Sequence, residues 1–398
     1  MATAIISFVF FQNVWLLRKW NIPIDPPGFH DSRQFAWAAE AYDKGYDPLI
    51  INPVNPRGHQ LNYPRIWHLL FALGINESHT NILGSIVVIL FFIGIGIFWF
   101  SGKFDNFTYI ILSIAILSPA VMLGVERSNI ELVLFFVLSL AIIINYYSSI
   151  SALSLFIFAS MLKIYPVFAF VYLLKENSRR FWALFPPALG IFTIYALFSF
   201  NDFMQVYKTT PKLVGSSFGI NVWWMGLRNS RFFALPISDN LAVYLKTISY
   251  ILAFLISLSS LLLSMRLKNS NRYNEGQHLD AFRVGASIYI GCFILMNTHD
   301  YRLIFLLFTI PQLIAWLGKK GEDTSLAPLV TLAAMLLSLW SFFIMHFLGR
   351  KTTFVIEEIS NWIMFTGLLY LFFSSLPDWF KGYIRQPFLS NKRYRSGS

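Results

Sequence analysis

Apolar runs recur from one end of the 398-residue chain to the other, with short polar stretches between them. A bilayer core of roughly 30 Å requires about 20 apolar residues per helix, and many of these runs approach that length. The pattern therefore predicts an all-α integral membrane protein, a single polytopic domain over residues 1–398 with about 12 transmembrane helices. The predicted spans are residues 2–17, 79–100, 107–124, 129–147, 150–162, 165–174, 181–200, 241–263, 282–297, 303–317, 327–348 and 354–373.

The fifth and sixth spans share the run ISALSLFIFASMLKIYPVFAFVYLL, which fits one long helix or two short helices broken at residues 163–166. With two helices, the basic loops and the tail, residues 374–398, fall on one side, which is the cytoplasm by the positive-inside rule. With one helix, the basic loops and the tail would fall on both sides of the membrane, so we prefer the two broken helices. The long segments 18–78 and 201–240 are then extracytoplasmic loops. The basic loops contain Lys175, Arg179, Arg180, Arg266, Lys268, Arg272, Lys319 and Lys320.

The first long segment carries a helical pattern of its own. Asp31 and Gln34 have the spacing of a capping box, and Gly45 provides a stop. We predict an amphipathic helix that lies along the membrane surface with Asp31 at its N-terminal end. Pro64 is well placed to begin another short helix. The apolar positions at helical spacing are Phe35, Ala38, Ala39 and Tyr42.

Composition supports a membrane protein and limits the alternatives. Hydrophobic residues make up 56% of the chain and charged residues 13%. The net charge of +11 is spread over loops, which favours positive-inside bias and a phosphate-bearing ligand over nucleic acid. The single cysteine, Cys292, excludes an intrachain disulfide. The N-terminal run lacks a basic region and a small-residue cleavage site, so we interpret it as a retained span.

Four groups of charged residues lie beside or inside apolar runs, where each charge is costly unless it is paired or hydrated. The topology above places all four on the extracytoplasmic face. Several cations and at least one carboxylate at one membrane face are what a lipid-borne phosphate would require. The groups are Glu126, Arg127 and Glu131; Lys163; His299, Asp300 and Arg302; and Asp31 with Arg65.

Structural roles remain open for most of these residues. Asp31 could serve only as a helix N-cap, which is worth about 1 kcal/mol. Glu126 could pair with Arg127, and Asp300 with Arg302, at solvated turns where such pairs contribute little. Lys163 lies within a strongly apolar run, where the alternative to a functional role is snorkelling to the interface.

Several segments resemble bacterial membrane glycosyltransferases of the GT-C type, particularly glycosyltransferase family 87 and its uncharacterised relatives. The similarity runs from about residue 25 to about residue 315 and depends on the order and spacing of loose motifs. It implies the GT-C fold and a polyprenyl-phosphate sugar as donor, with the active site on the outer face of a bacterial inner membrane. The segments are HDSRQFAWAAEAYDKGYDPLIINPVNPRGHQLNYPRIW, VERSNIELVLFFVLSLA, LKIYPVFAFVYLL and NTHDYRLIFLLFTIPQL.

The resemblance also implies residue roles. Asp31 matches the acidic residue expected to act as the catalytic carboxylate, and Arg127, Lys163 and Arg302 match the contacts to the donor phosphate. The implied partners are the polyprenyl-phosphate sugar donor, a glycan or lipid-linked acceptor and the lipid bilayer. Some members of the superfamily use a divalent metal, and whether Mg²⁺ or Mn²⁺ bridges Asp31 and the phosphate here stays open from the sequence. The expected supporting residues are Glu126, His299, Asp300, Arg65 and Tyr63.

The chemistry suits these residue types. Negative charge that develops on the departing phosphate is stabilised by Arg and Lys, and a carboxylate can take the proton of the acceptor hydroxyl. A single displacement inverts the anomeric centre, as the resemblance also implies. Two other classes stay open: a carrier, such as a lipid-linked sugar flippase or secondary transporter, and a polysaccharide polymerase or ligase.

Overall fold

A computed structural model describes residues 15–211, 214–266, 273, 276–295, 297–318 and 326–384. Most of this part of the chain is helical. In chain order the α-helices are α1 (Trp15–Lys19), α2 (His30–Asp43), α3 (Thr80–Ser101), α4 (Asn106–Ile116), α5 (Pro119–Arg127), α6 (Glu131–Ile144), α7 (Ser149–Leu162), α8 (Ser178–Phe198), α9 (Phe200–Thr209), α10 (Val222–Arg228), α11 (Asp239–Arg266), α12 (Leu279–Leu295), α13 (Ile310–Leu317), α14 (Ala327–Leu339) and α15 (Ser341–Ser374).

Shorter elements connect these helices. Two strands, β1 (Ser217–Phe218) and β2 (Thr298–His299), pair antiparallel, with Ser217 opposite His299. They join the second long segment to the polar turn that precedes Asp300. The 3₁₀ helices are Arg65–Leu73, Glu77–His79, Tyr165–Lys175 and Asp300–Phe308.

The all-α membrane character is confirmed, whereas the number of spans is not. Four helices are long and apolar enough to cross a membrane: the stretch Glu77–Ser101, which contains α3, and α8, α11 and α15. Two bent helix pairs would raise the number to six. Helix α6 and helix α7 have 14 residues each, or about 21 Å, which is less than the roughly 30 Å of a bilayer core. The first predicted span lies almost entirely outside the described residues.

Proline lies at or near both bends. Helix α4 and helix α5 meet at 53°, where Ser118 precedes Pro119 and has extended backbone angles, φ −64° and ψ 149°. A residue before proline avoids the helical region, so the chain turns there. The 3₁₀ helix Asp300–Phe308 meets α13 at 52°, close to Pro311. Each bent pair carries one of the charged groups identified in the sequence.

The break in the fifth and sixth predicted spans is confirmed. Helix α7 ends at Leu162, and Lys163 is extended, with φ −156° and ψ 143°. A 3₁₀ helix then begins at Tyr165, followed by Pro166. The boundary between the last two predicted spans, 327–348 and 354–373, lies elsewhere in the structure. The helix break falls at Trp340, and α15 continues through a distorted Gly349 (φ 74°, ψ 167°).

The helix predicted in the first long segment is present as α2, but two of its expected properties are wrong. Phe29, not Asp31, is the N-cap, and no side chain caps the helix. The helix does not present a single apolar face to a membrane surface, since buried residues occupy all of its sides. It is instead packed into the protein. The buried positions are His30, Ser32, Arg33, Ala36, Trp37, Ala38, Ala39 and Ala41.

The other predicted segments are only partly loops. The segment 201–240 contains most of α9 together with β1, α10 and the first residues of α11. In the basic tail, residues 378–384 are helical, and residues 385–398 lie outside the described part. Lys381 is buried and donates a hydrogen bond to the carbonyl oxygen of Ser374 (2.9 Å). The beginning of this tail is therefore packed against the end of α15.

Helix α3 and helix α6 pack closely at Gly94, which gives a test of this packing. A Cβ atom at Gly94 would lie 2.9 Å from the Cα atom of Phe136, a backbone atom that cannot move aside. We expect Gly94→Ala to destabilise the protein by about 1–3 kcal/mol, as overpacking does. The measurement is unfolding of the purified protein in detergent. Gly190→Ala is the control, since no atom lies within 4 Å of its added Cβ, and equal loss in both variants would contradict the packing.

Candidate functional site

A buried carboxylate joins two of the predicted cations. Glu131, the first residue of α6, is fully buried, and its Oε1 accepts a hydrogen bond from Lys163 Nζ (2.7 Å). The same oxygen accepts from Arg302 Nε (2.9 Å), and Arg302 Nη2 also lies 2.9 Å away. Lys163 and Arg302 are 139 residues apart in sequence, and the break after α7 and the turn after β2 bring them to one atom. We refer to Glu131, Lys163 and Arg302 as the ionic triad.

Aromatic rings and a hydroxyl hold the two cations from other sides. The guanidinium carbon of Arg302 lies 4.4 Å from the centre of the Tyr165 ring, and Arg302 Nη1 donates to Thr298 Oγ1 (3.4 Å). Lys163 Nζ lies 5.2 Å from the centre of the Tyr63 ring. Cation–π contacts of this kind contribute about 0.5–2 kcal/mol, more where water is excluded. Both cations of the triad thus have contacts besides those to Glu131.

Asp31 is attached to the same region through Asn129. The side-chain amide of Asn129 donates to Asp31 Oδ2 (2.5 Å), while its side-chain oxygen accepts from the backbone N–H of Glu131 (2.9 Å). Asn129 thus contacts both the proposed base and the helix that carries the triad carboxylate. Asp31 is only partly buried, and it is close enough to Lys163 and Tyr63 to interact electrostatically with both side chains.

The start of α2 is fixed against the end of α5 by further contacts. The backbone N–H of Phe29 donates to the carbonyl oxygen of Glu126 (2.9 Å). The hydroxyl groups of Ser32 and Ser128 lie 2.5 Å apart, both buried. Asp31 therefore sits on a docked helix end, so its position relative to the triad is set by the fold.

Glu126 and Arg127 do not form the ion pair that their adjacent positions in the sequence suggest. Glu126 is buried, and its Oε1 accepts from the backbone N–H of Asp25 (3.0 Å). Arg127 is paired with none of the carboxylates in the described part of the chain, and its buried Nε has no hydrogen-bond partner there. Its positive charge is close enough to His299 and Tyr301 to interact electrostatically with both side chains. Arg127 is thus a cation beside the triad that remains available to an anion.

His299 belongs to the same region. Its ring stacks on Tyr301, with 5.0 Å between the ring centres. Burial, and then the positive charges of Arg127 and Arg302, lower the pKa of His299 to about 3. The ring is therefore neutral at physiological pH, and its buried Nδ1, which has no partner among the described residues, can accept a hydrogen bond.

Two predicted site residues point elsewhere. Arg65 does not accompany Asp31, because its Nη2 lies 2.6 Å from Asp47 and its Nε 3.0 Å from Asp202, an exposed pairing that ties the first long segment to α9. Asp300 does not pair with Arg302 either. Its buried carboxyl group lies close to Glu357 and Glu358 of α15, and neither of its oxygens has a hydrogen-bond partner among the described residues.

Several buried polar atoms of this site have no hydrogen-bond partner among the described residues, as is also the case for buried atoms elsewhere in the fold. In the described part of the chain they include both acceptors and donors, within a few residues of the triad. Because an unpartnered buried polar atom is costly, those beside the triad are the atoms to which a polar ligand could bind. They are Glu131 Oε2, Glu126 Oε2, Arg127 Nε, Tyr165 Oη and His299 Nδ1.

The described residues do not build a metal centre from protein ligands alone. No group of three or more His, Cys, Asp and Glu side chains among them is arranged to hold a metal ion. A divalent ion bound to Asp31, as the resemblance allows, would therefore need further ligands that these protein groups do not supply.

Sequence reasoning missed two functional candidates. Glu131 was noted in the sequence but not assigned to the site, although a carboxylate inside an apolar helix is a recognisable signal. Asn129 carries no such signal, because an asparagine before a helix ordinarily indicates a cap or a turn. Comparisons with protein-family models, curated proteins and solved structures found no match to this chain.

Proposed function

We propose that the protein is an inverting glycosyltransferase that moves a monosaccharide from a polyprenyl-phosphate donor to a glycan or lipid-linked acceptor. The proposal includes the GT-C fold and a place in a bacterial inner membrane with the active site facing outward. The observation that carries it is the position of Asp31 beside three cations, Arg127, Lys163 and Arg302. A carboxylate and a cationic surface are the two groups that this reaction requires.

The net charge of the site suits the donor. Glu131 cancels one of the two triad cations, so the triad carries one positive charge. With Arg127 and the Asp31 carboxylate added to the triad, these five residues also sum to a charge of +1. A sugar phosphodiester carries one negative charge, which this site can neutralise without a surplus. Buried charges are stable only when they are compensated in this way.

The proposed step is a single displacement. The acceptor hydroxyl oxygen forms a bond to the anomeric carbon while the bond from that carbon to the phosphate oxygen breaks, with inversion. Asp31 takes the hydroxyl proton, and the electron pair of the broken bond stays on the polyprenyl phosphate. Arg127, Lys163 and Arg302 stabilise that charge. Asn129 and the docked end of α2 hold Asp31 in place, since positioning supplies much of the rate when the base is weak.

A reconstituted assay tests the function directly. The purified protein in lipid nanodiscs is supplied with a panel of polyprenyl-phosphate sugars and candidate glycan acceptors. We expect release of polyprenyl phosphate together with a product one sugar longer, with the opposite anomeric configuration by NMR. Products many sugars longer would indicate a polymerase. Absence of any glycosidic product with the whole panel would count against the proposal.

A proton-coupled carrier of lipid-linked sugars is the second candidate. The observation that favours it is the cluster of Asp300, Glu357 and Glu358, three buried carboxyl groups at one place. Ionisable groups inside membrane helices often belong to proton pathways. Movement of labelled lipid-linked sugar across proteoliposomes, without a glycosidic product, would support this candidate in place of the enzyme.

A further inference from the structure

Glu131 contacts both cations of the triad but is itself buried beneath them. Its side chain is fully buried, and both cations of the triad reach the same oxygen, Oε1. Without this carboxylate, Lys163 and Arg302 would repel each other at close range. The carboxylate therefore has two effects: it holds both cations in one place, and it removes one unit of positive charge from the surface that they form.

We infer that Glu131 is a positioning residue that makes the site, before proton transfer, selective for an anion with one negative charge over an anion with two. The second negative charge that develops on the leaving phosphate is matched only when Asp31 takes the proton of the acceptor hydroxyl. The inference rests on the proposed function, because it concerns the phosphate group of the same donor. With Glu131 in place, the triad carries +1, which suits a phosphodiester. A diphosphate diester would leave a negative charge uncompensated in a poorly hydrated site, where such a charge is costly.

Two probes that lack a sugar measure this charge selectivity separately from catalysis. Farnesyl methyl phosphate carries one negative charge, and farnesyl methyl diphosphate carries two. Their dissociation constants are measured for the full-length protein in nanodiscs by tryptophan fluorescence or native mass spectrometry. We expect the wild-type protein to bind the monophosphate probe more tightly. Glu131→Gln, which raises the triad to +2, should shift the ratio of the two constants about tenfold or more toward the diphosphate.

A double variant separates the charge effect from loss of structure. Glu131→Gln combined with Lys163→Met returns the triad to +1, with Arg302 as its only charge. We expect the double variant to recover the preference for the monophosphate probe. If Glu131 served only to stabilise the fold, the double variant would be as altered as the single one, or more so. That result would overturn the inference.

The control variant is Glu176→Gln. Glu176 accepts a hydrogen bond from Ser149 and pairs with Arg180 (3.4 Å), near the far end of α6 from Glu131. The length of that helix, about 20 Å, separates the two carboxylates. This variant should leave the ratio unchanged. If wild type binds the monophosphate probe but Glu131→Gln does not change the ratio, the inference fails and the proposed function stands. If wild type binds neither probe, both fail.

Discussion

Asp31→Asn is expected to lower the rate of sugar transfer about 10³-fold, within the range of 10² to 10⁴ that general bases contribute. Asparagine has nearly the same shape, and its side-chain oxygen can still accept the hydrogen bond from Asn129 that Asp31 accepts now (2.5 Å). The helix end should therefore remain docked. What the variant loses is the ability to take the proton of the acceptor hydroxyl.

The measurements are turnover in nanodiscs and the affinity for farnesyl methyl phosphate. We expect turnover to fall while the affinity changes less than about threefold, since the base contributes little to binding of the phosphate. Asp43→Asn is the matched control, because Asp43 is the exposed last residue of the same helix. Full turnover in Asp31→Asn would exclude Asp31 as the base. Parallel loss of turnover and binding would instead show that it has a structural role.

Arg302→Met is expected to lower the free energy of unfolding by about 3–5 kcal/mol, which is typical when one partner of a buried ion pair is removed. The variant leaves a fully buried Glu131 with Lys163 as its single cation and removes the contact between the guanidinium group and the Tyr165 ring. Sugar transfer should also be lost, because a cation near the departing phosphate disappears. Unfolding in detergent and turnover in nanodiscs measure the two effects.

Arg302→Lys and Arg65→Met complete this experiment. Lysine keeps the charge but cannot reproduce two nitrogens on one carboxylate oxygen, so we expect an intermediate loss of stability. Arg65 also contacts two carboxylates, but its side chain is 46% exposed, and exposed pairs contribute less than about 1 kcal/mol. A loss in Arg65→Met as large as that in Arg302→Met would show that burial of the triad has no special importance.

The sequence predicts the helical class, the break after α7 and the gathering of charge near Lys163 and Arg302, because each follows from a local pattern. Apolar length identifies helices, a proline shows where the chain must turn, and a charge in an apolar run requires compensation. These rules act over a few residues. They were sufficient to find both cations, although the chain separates them by 139 residues.

The partners of these residues were not predictable in the same way. Asp31 has the spacing of a helix cap, but Phe29 takes that place and Asp31 accepts from Asn129. Arg65 pairs with Asp202 and not with Asp31, because the fold brings α9 to the first long segment. Such pairings depend on how distant elements pack. The number of spans stays a prediction, since only four helices in the described part of the chain, or six if each bent pair is one span, are long and apolar enough to cross a membrane.

Asn129 has a consequence for how the specificity of such a protein can change. Its single amide group touches the carboxylate of Asp31 on one side and the first backbone N–H of α6 on the other. It therefore acts as a spacer of fixed length between Asp31 and the start of the helix that carries Glu131. If the protein is the transferase proposed above, changes in the surrounding loops could alter the acceptor while the distance between Asp31 and this helix stays constant. Under the proposed function, chemistry and acceptor choice are thus separable parts of one chain.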